Sequence, residues 1–343
     1  GLGRIEGWPK GAYAIATRVH HAAIDGASAM HFFSAMSDRD ARGTPAIDLS
    51  DKARPAGDAP TTLTVLNRAL VSNLQSPVKL TSTLLQFSPA IFNTLKKSLL
   101  SDAGKVSKVP LTRFNQPVSP HKMFDATAFS LDDMKRIKDA VEGATINDVV
   151  IAICAGALRR YLAHHGELPA EPLVAVAPVN ARGSSRDAEI PGNNISAMSV
   201  AIPTHVEDPL ERLEIIRDTT RQTKAARSGI SARLMTDLSK HVPAATLAGV
   251  ARMLAGGRFT SKFCNLFISN VPGPQQTLYM NGAKLLHTYG MAPLADGMGL
   301  FIATPSYNGE MTFNVISDRE LLPDIEFFRE CMDESFRDLL GAV

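Results

Sequence analysis

The sequence predicts a mixed α/β protein. Segments whose apolar residues recur at every second position, as in a strand, alternate with segments whose apolar residues recur every three to four positions, as in a helix. Of the 343 residues, 45% are hydrophobic and 20% are charged, which is typical of a globular protein with a substantial core. The sequence contains no internal repeat and no low-complexity tract.

Charge and cysteine content exclude several classes of protein. The formal net charge of +2 gives no reason to expect a nucleic-acid partner. Cys154, Cys264 and Cys331 lie far apart and form neither a CxxC pair nor a Cys/His cluster, which favours reduced thiols in a cytoplasmic protein over disulfides or a zinc site. No apolar run reaches the roughly 18–20 residues that a membrane-spanning helix needs.

The first elements are a strand and a helix. Residues 12–21 alternate in polarity and predict a strand that places His20 and His21 on opposite faces. A helix is expected from Ser28 onward, with Asp25 or Ser28 as its N-terminal cap.

Residues 37–60, rich in Asp, Arg, Pro and Gly, predict a loop. Residues 63–100 have helical periodicity interrupted at Pro77 and Pro89. Residues 101–121 are the expected linker or crossover. The predicted organisation is therefore an N-terminal subdomain at 1–100 and a C-terminal subdomain at 122–343.

The C-terminal part alternates between the two kinds of element. We expect helices at 132–142, 146–164, 209–226, 232–254 and 324–340, and strands at 173–179, 195–202, 263–269, 300–303 and 311–317.

The most informative segment is His20-His21-Ala22-Ala23-Ile24-Asp25-Gly26. It brings a titratable imidazole and a carboxylate close together, as proton transfer requires. A turn that closes a strand also explains Asp25-Gly26, and a metal site would need further ligands that the sequence does not offer nearby. A second pair, His164-His165, has no Asp four residues on and is expected at a helix C-terminus, where the helix dipole accounts for it.

These residues resemble the HHxxxDG signature of acyltransferases with the chloramphenicol acetyltransferase-like fold. Three further segments resemble the bacterial wax ester synthase/diacylglycerol acyltransferases: Asn147-Asp148 in a helix start, Gly192–Ser196, and Ile268-Ser269-Asn270-Val271-Pro272-Gly273-Pro274. Members of that family carry upstream sequence with a Pro-Leu-Trp motif. The resemblance therefore leads us to expect a complementary N-terminal segment, on the same polypeptide or as a separate fragment.

The resemblance implies two subdomains with mixed sheets flanked by helices and an active site at their interface. The implied reaction transfers a fatty acyl group from acyl-CoA to a long-chain alcohol or to diacylglycerol, without a cofactor or metal. His21 would be the general base, with His20 in support. The remaining implied site residues are Asp25, which orients His21 or holds the turn, Asn147 as an oxyanion donor, and Gly26, Asp148 and Asn270 in substrate binding. Structural roles stay open for three of them: a helix cap for Asn147, the helix dipole for Asp148 and a strand-ending turn for Asn270.

Two alternatives stay open from the sequence. One is a condensation-domain or polyketide-associated acyltransferase of the same fold, which would use carrier-bound acyl groups. The other is a non-catalytic protein that binds acyl lipids. The sequence also leaves open a homo-oligomer and peripheral contact with a membrane or lipid-droplet surface, for which residues 63–97 are the candidate, although packing against the core explains that segment as well.

Overall fold

A computed structural model of the chain describes residues 2–8, 11–20, 26–43, 61–67, 71, 109–180, 195–226 and 264–343. Its helices are α1 (Gly26–Ala35), α2 (Leu131–Ala140), α3 (Ile146–His164), α4 (Pro209–Ala226) and α5 (Ile325–Gly341). Its strands are β1 (Leu2–Ile5), β2 (Ala14–Thr17), β3 (Lys122–Ser130), β4 (Leu173–Asn180), β5 (Ile195–Ile202), β6 (Leu266–Val271), β7 (Tyr279–Met280), β8 (Ala283–Lys284), β9 (Leu300–Tyr307) and β10 (Glu310–Asp318). The mixed α/β prediction is confirmed.

A six-stranded mixed sheet organises the C-terminal part, in the order β3-β10-β9-β6-β4-β5. The central strands β9, β6 and β4 run parallel, and the outer pairs are antiparallel. Helix α3 lies at the centre of the helical layer, where it contacts α2, α4 and α5 and crosses over β5 and β6. Its residues from Val149 to Leu158 are all buried, as expected for a helix surrounded on most sides.

The boundaries of several elements follow the sequence prediction closely. Helix α3, strand β5 and helix α4 begin and end at the predicted residues. Strands β9 and β10 are longer than predicted because they form a hairpin that continues to Asn308-Gly309, which supply the positive φ values of the turn. The predicted helix at 232–254 and most of that at 63–100 lie outside the described residues, although 62–67 are helical.

Two predictions near the N-terminus need correction. The strand β2 ends at Thr17, so strand alternation does not set the directions of His20 and His21. Helix α1 begins at Gly26, which places Ser28 inside the helix and not at its cap. Strand β1, which the sequence analysis did not predict, pairs antiparallel with β2.

The predicted linker contains residues of the core. Phe114 is fully buried, and the side-chain amide of Asn115 donates to the carbonyl oxygens of Cys264 and Gly297, at 3.0 and 3.2 Å. Strand β3 follows directly, although no strand was predicted there. Residues 113–130 therefore fix the first strand of the sheet to the segments that precede β6 and β9.

All three cysteines, Cys154, Cys264 and Cys331, are free and buried. Burial raises the pKa of Cys264 to about 11 and that of Cys331 to about 12.

Candidate functional site

The structure describes two of the four residues of the histidine motif. His20 is exposed and lies three residues after β2, and Gly26 is the first residue of α1. His21 and Asp25 lie outside the described residues. The described surroundings of the motif are therefore α1 and the elements that contact it.

The first half of α1 contacts the loop that follows β6. A Cβ atom added to Gly273 would lie 2.2 Å from the carbonyl oxygen of Ser306 and 2.8 Å from Cε of Met30. The Gly273 amide also donates to Oγ of Ser306, at 3.1 Å. Only glycine permits this approach, so the Asn270–Pro274 segment, β9 and α1 meet at Gly273.

The chain beyond α1 is held by the hairpin 278–285, which contains β7 and β8. The backbone amide of Asp38 donates to the carbonyl oxygen of Tyr279 at 2.7 Å, and the Tyr279 amide donates to the carbonyl oxygen of Asp38 at 2.8 Å. Asn281 and Gly282 both have positive φ and form the tight hairpin turn. The sequence analysis missed this hairpin, although Asn-Gly between apolar residues was a usable signal.

Helix α3 begins with a fully bonded cap. The backbone amide and hydroxyl of Thr145 donate to Oδ2 of Asp148 at 2.8 and 2.7 Å, and the Asp148 amide donates back to Oγ1 of Thr145 at 3.3 Å. Oδ1 of Asp148 accepts from the hydroxyl of Thr220 on α4, at 2.7 Å. Asp148 is 1% exposed. Its contacts cap the helix and join α3 to α4, whereas its neighbour Asn147 is half-buried.

Asn147 and Asn270 lie toward the same end of the sheet. Tyr161, near the end of α3, packs on Phe114. The carbonyl oxygen of Phe114 accepts a hydrogen bond from the amide of Gly299, the residue directly before β9. The last turns of α3 therefore lie where β9 begins. From Tyr161, α3 runs back about 21 Å to Asn147. On the way Gly156 lies against Ser335 of α5, and the next residue of α5, Phe336, stacks on Phe129 beside the β9–β10 turn, so α3 runs toward the end at which β9 stops. Asn270 is the second-last residue of β6 and shares a strand face with the buried Leu266 and Ile268.

This end of the sheet therefore collects most of the predicted site residues that the structure describes. Asn147, Asn270 and the helix that starts at Gly26 approach it, and Asp148 is buried in the helix cap beside Asn147. His20 lies on the chain that leads to α1.

The opposite end of α3 carries a network of polar side chains that the sequence did not predict. Arg113 donates two hydrogen bonds to the carboxylate of Glu167, at 2.7 and 2.8 Å, and one to the hydroxyl of Tyr161 at 2.8 Å. That hydroxyl donates to Asp324 at 2.6 Å, and Nε2 of His165 lies 3.1 Å from the other oxygen of Asp324.

The charges of this network shift its pKa values in a consistent way. The hydrogen bond from Arg113 holds the pKa of Glu167 below its usual range. Burial raises the pKa of Asp324, but the hydrogen bonds from Tyr161 and His165 outweigh it and leave that pKa lowered. Burial, followed by the hydrogen bond to Asp324, raises the pKa of Tyr161. Glu167 and Asp324 are therefore ionised and the Tyr161 hydroxyl is neutral at neutral pH, and their hydrogen bonds join the end of α3 to the start of α5.

Within the described ranges, no group of three or more His, Cys, Asp or Glu side chains could hold a metal ion. None of the helices in that same part of the chain is long and apolar enough to cross a membrane.

The histidine motif ends where α1 begins, and α1 contacts the segment that follows β6 of the mixed sheet. These features place the protein in the mixed α/β class. Comparison with known proteins identifies the family. The wax ester synthase/diacylglycerol acyltransferase catalytic domain matches residues 3–150, and the C-terminal domain of the same family matches residues 191–340. The chain belongs to the wax ester synthase/diacylglycerol acyltransferase family.

Individual relatives agree with this assignment. The chain is 30% identical over 349 residues to an O-acyltransferase of Acinetobacter baylyi, covering 99% of the chain and 72% of that protein. It is 32% identical over 334 residues to a putative diacylglycerol O-acyltransferase of Mycobacterium tuberculosis, covering 95% of the chain and 64% of the relative. The chain thus spans 64% and 72% of the lengths of these two curated relatives.

Among solved structures, the wax ester synthase/diacylglycerol acyltransferase from Marinobacter aquaeolei superimposes with a TM-score of 0.67 at 27% identity. The match covers 98% of this chain and 70% of that one. The described fold is therefore that of the family.

Proposed function

We propose that this protein is an O-acyltransferase that moves a fatty acyl group from acyl-CoA to a long-chain alcohol, to diacylglycerol, or to both. The two family matches and the complete HHxxxDG motif support the proposal. The observation that carries it is the contact at Gly273. There the helix that begins with the motif's Gly26 meets the segment that contains Asn270.

His21 is the proposed general base. A neutral imidazole takes the proton of the alcohol as its oxygen attacks the thioester carbonyl and forms the new carbon–oxygen bond. The carbon–sulfur bond of the tetrahedral intermediate then breaks. The departing coenzyme A thiolate takes the proton back from the imidazolium, so no covalent enzyme intermediate and no cofactor are needed.

The other motif residues have supporting roles in this proposal. Asn147, half-buried at the start of α3, is the proposed donor to the oxyanion, and Asn270 lines the site. His20 and Asp25 hold the segment around His21, and Gly26 permits the passage into α1. For Asp148, every contact described above favours a structural role in the cap of α3 over a contact with substrate.

The proposed site lies between an N-terminal subdomain at 1–100 and a C-terminal subdomain at 122–343, joined through 101–121. Contacts of Met30 with Gly273 and of Asp38 with Tyr279 support such an interface. We also propose that the protein acts in the cytoplasm next to a membrane or lipid-droplet surface, because the family's substrates are lipids.

The deciding experiment supplies the purified protein with a long-chain acyl-CoA and either a fatty alcohol or diacylglycerol, and measures the ester and free coenzyme A. Ester formation at equal yield with coenzyme A supports the proposal. Turnover only when the acyl group is attached to a carrier protein would favour a condensation-type enzyme. Binding of acyl-CoA without turnover of any acyl donor would identify a lipid-binding protein.

A further inference from the structure

One buried hydroxyl group holds both strands of the hairpin 278–285. Tyr307, at the end of β9, is 3% exposed. Its hydroxyl accepts a hydrogen bond from the Leu278 amide at 2.8 Å and donates one to the carbonyl oxygen of Leu285 at 3.2 Å. Leu278 and Leu285 also pair with each other, since the Leu285 amide donates to the Leu278 carbonyl at 2.9 Å.

The tip of the same hairpin reaches the chain that follows α1. Tyr279 exchanges two backbone hydrogen bonds with Asp38, only three residues after the end of α1. At the turn, a Cβ atom on Gly282 would lie 3.3 Å from the carbonyl oxygen of Ala41. The hairpin therefore connects the end of β9 to the C-terminal end of the helix that starts with the histidine motif.

We propose that Tyr307 is a positioning residue for the histidine motif and acts through this hairpin. The inference rests on the proposed acyl transfer at His21. Helix α1 is one continuous helix of ten residues, so a shift of its C-terminal end is transmitted along the helix to Gly26, the last residue of the motif. General-base catalysis tolerates little displacement, because the imidazole must stay within hydrogen-bond reach of the alcohol.

The test is Tyr307→Phe, with Tyr161→Phe as the matched control. Both substitutions remove a buried hydroxyl that accepts one hydrogen bond and donates another, and Tyr161 lies at the end of α3 away from α1. We expect Tyr307→Phe to lower kcat about tenfold or more with KM within about twofold. Tyr161→Phe leaves kcat within about twofold, although it also lowers the melting temperature.

Amide hydrogen exchange supplies a readout that a general loss of stability does not produce. In Tyr307→Phe, exchange in the peptides that contain Asp38 and Tyr279 becomes faster, whereas Tyr161→Phe leaves those peptides unchanged. Gly282→Ala disturbs the contact between the hairpin turn and the Ala41 carbonyl oxygen, at the end of the hairpin away from Tyr307. If Tyr307→Phe does not fold, the same measurements are made on Gly282→Ala. The double variant falls no further than the stronger single variant, because both substitutions release the same connection.

Failure of this inference is distinguishable from failure of the proposed function. If the unsubstituted protein forms ester but Tyr307→Phe or Gly282→Ala keeps kcat within about twofold, the positioning role is wrong. Equal losses of kcat in Tyr307→Phe and Tyr161→Phe would likewise overturn it. If the unsubstituted protein forms no ester, the proposed function itself is wrong.

Discussion

The two adjacent histidine pairs of this chain lie in regions of opposite character. His164 and His165 end α3, where His164 packs on Phe327 and His165 packs on Tyr161 and bonds Asp324. His20 is exposed, between a short two-stranded sheet and the start of α1. The comparison shows that the same dipeptide serves packing in one place, while in the other it precedes a helix beyond whose C-terminal end a hairpin contacts the chain.

This difference leads to a general expectation. Substitutions in the C-terminal sheet domain, apart from those at Asn147, Asn270 and Tyr307, should change stability with little effect on catalysis per folded molecule. Substitutions in the histidine motif should do the reverse. The following predictions test that contrast, from the largest expected effect to the smallest.

The largest contrast is expected between the histidine pairs themselves. His21→Ala should lower kcat by about 10²–10⁴-fold, since it removes the proposed general base, and should leave the unfolding transition unchanged. His165→Ala should keep kcat within about twofold while lowering the melting temperature, since it removes the bond to Asp324. Steady-state ester formation and thermal unfolding measure both. A His21→Ala protein that retains ester formation within a few-fold would contradict the assignment of the base.

A buried carboxylate gives the second test. Asp148→Ala removes the acceptor of three hydrogen bonds from Thr145 and Thr220 and should destabilise the protein by about 2–4 kcal/mol. Denaturant unfolding measures this loss. Specific activity, corrected for the folded fraction, should change little. A collapse of kcat in protein that is still folded would instead give Asp148 a role at the substrate.

The cap of α2 is expected to matter less. Ser130 accepts a hydrogen bond from the Asp133 amide at 3.3 Å, at an exposed helix end. Ser130→Ala should cost about 0.5–1 kcal/mol, and Ser130→Asp, which restores the acceptor, should recover the loss. If both substitutions destabilise equally, the hydrogen bond is not the reason for a serine at this position.

The smallest effect is a dependence of stability on pH. The pKa of Glu167 is lowered by its hydrogen bond from Arg113, so its contribution to stability is present above the unfolded pKa of about 4.3 and is lost as the pH falls through the folded value. Half-exposed ion pairs contribute little, about 0.5 kcal/mol after solvent screening. Glu167→Gln should therefore be slightly less stable at pH 7, and the difference in stability should shrink as the pH falls below about 4.3 and through the folded value. A difference that persists at low pH would show that the carboxylate charge is not involved.

Elements that local patterns encode could be predicted from the sequence. Helix α3 has its cap Thr145 in the chain next to it and an apolar pattern through its length, so its bounds follow from neighbouring residues. Strand β3 was missed because two of its inward-facing residues are polar. Thr127 donates to Asp333 at 2.6 Å and Asp125 accepts from Arg329 at 3.1 Å, and both partners lie on α5. Because Asp125 and Thr127 are polar, the strand lacks the alternation of apolar and polar residues by which a strand is predicted.

The candidate site likewise has features that the sequence determines and features that only the tertiary structure determines. The sequence by itself determined the mixed α/β class and the family, because the HHxxxDG motif and the accompanying segments consist of residues close together in the chain. Only the tertiary structure decided that Asp148 caps a helix, that Asn115 of the predicted linker joins the core, and that Tyr307 bonds the hairpin that contacts the chain after α1. Those contacts join residues far apart in the chain, and their geometry depends on how the sheet and helices pack.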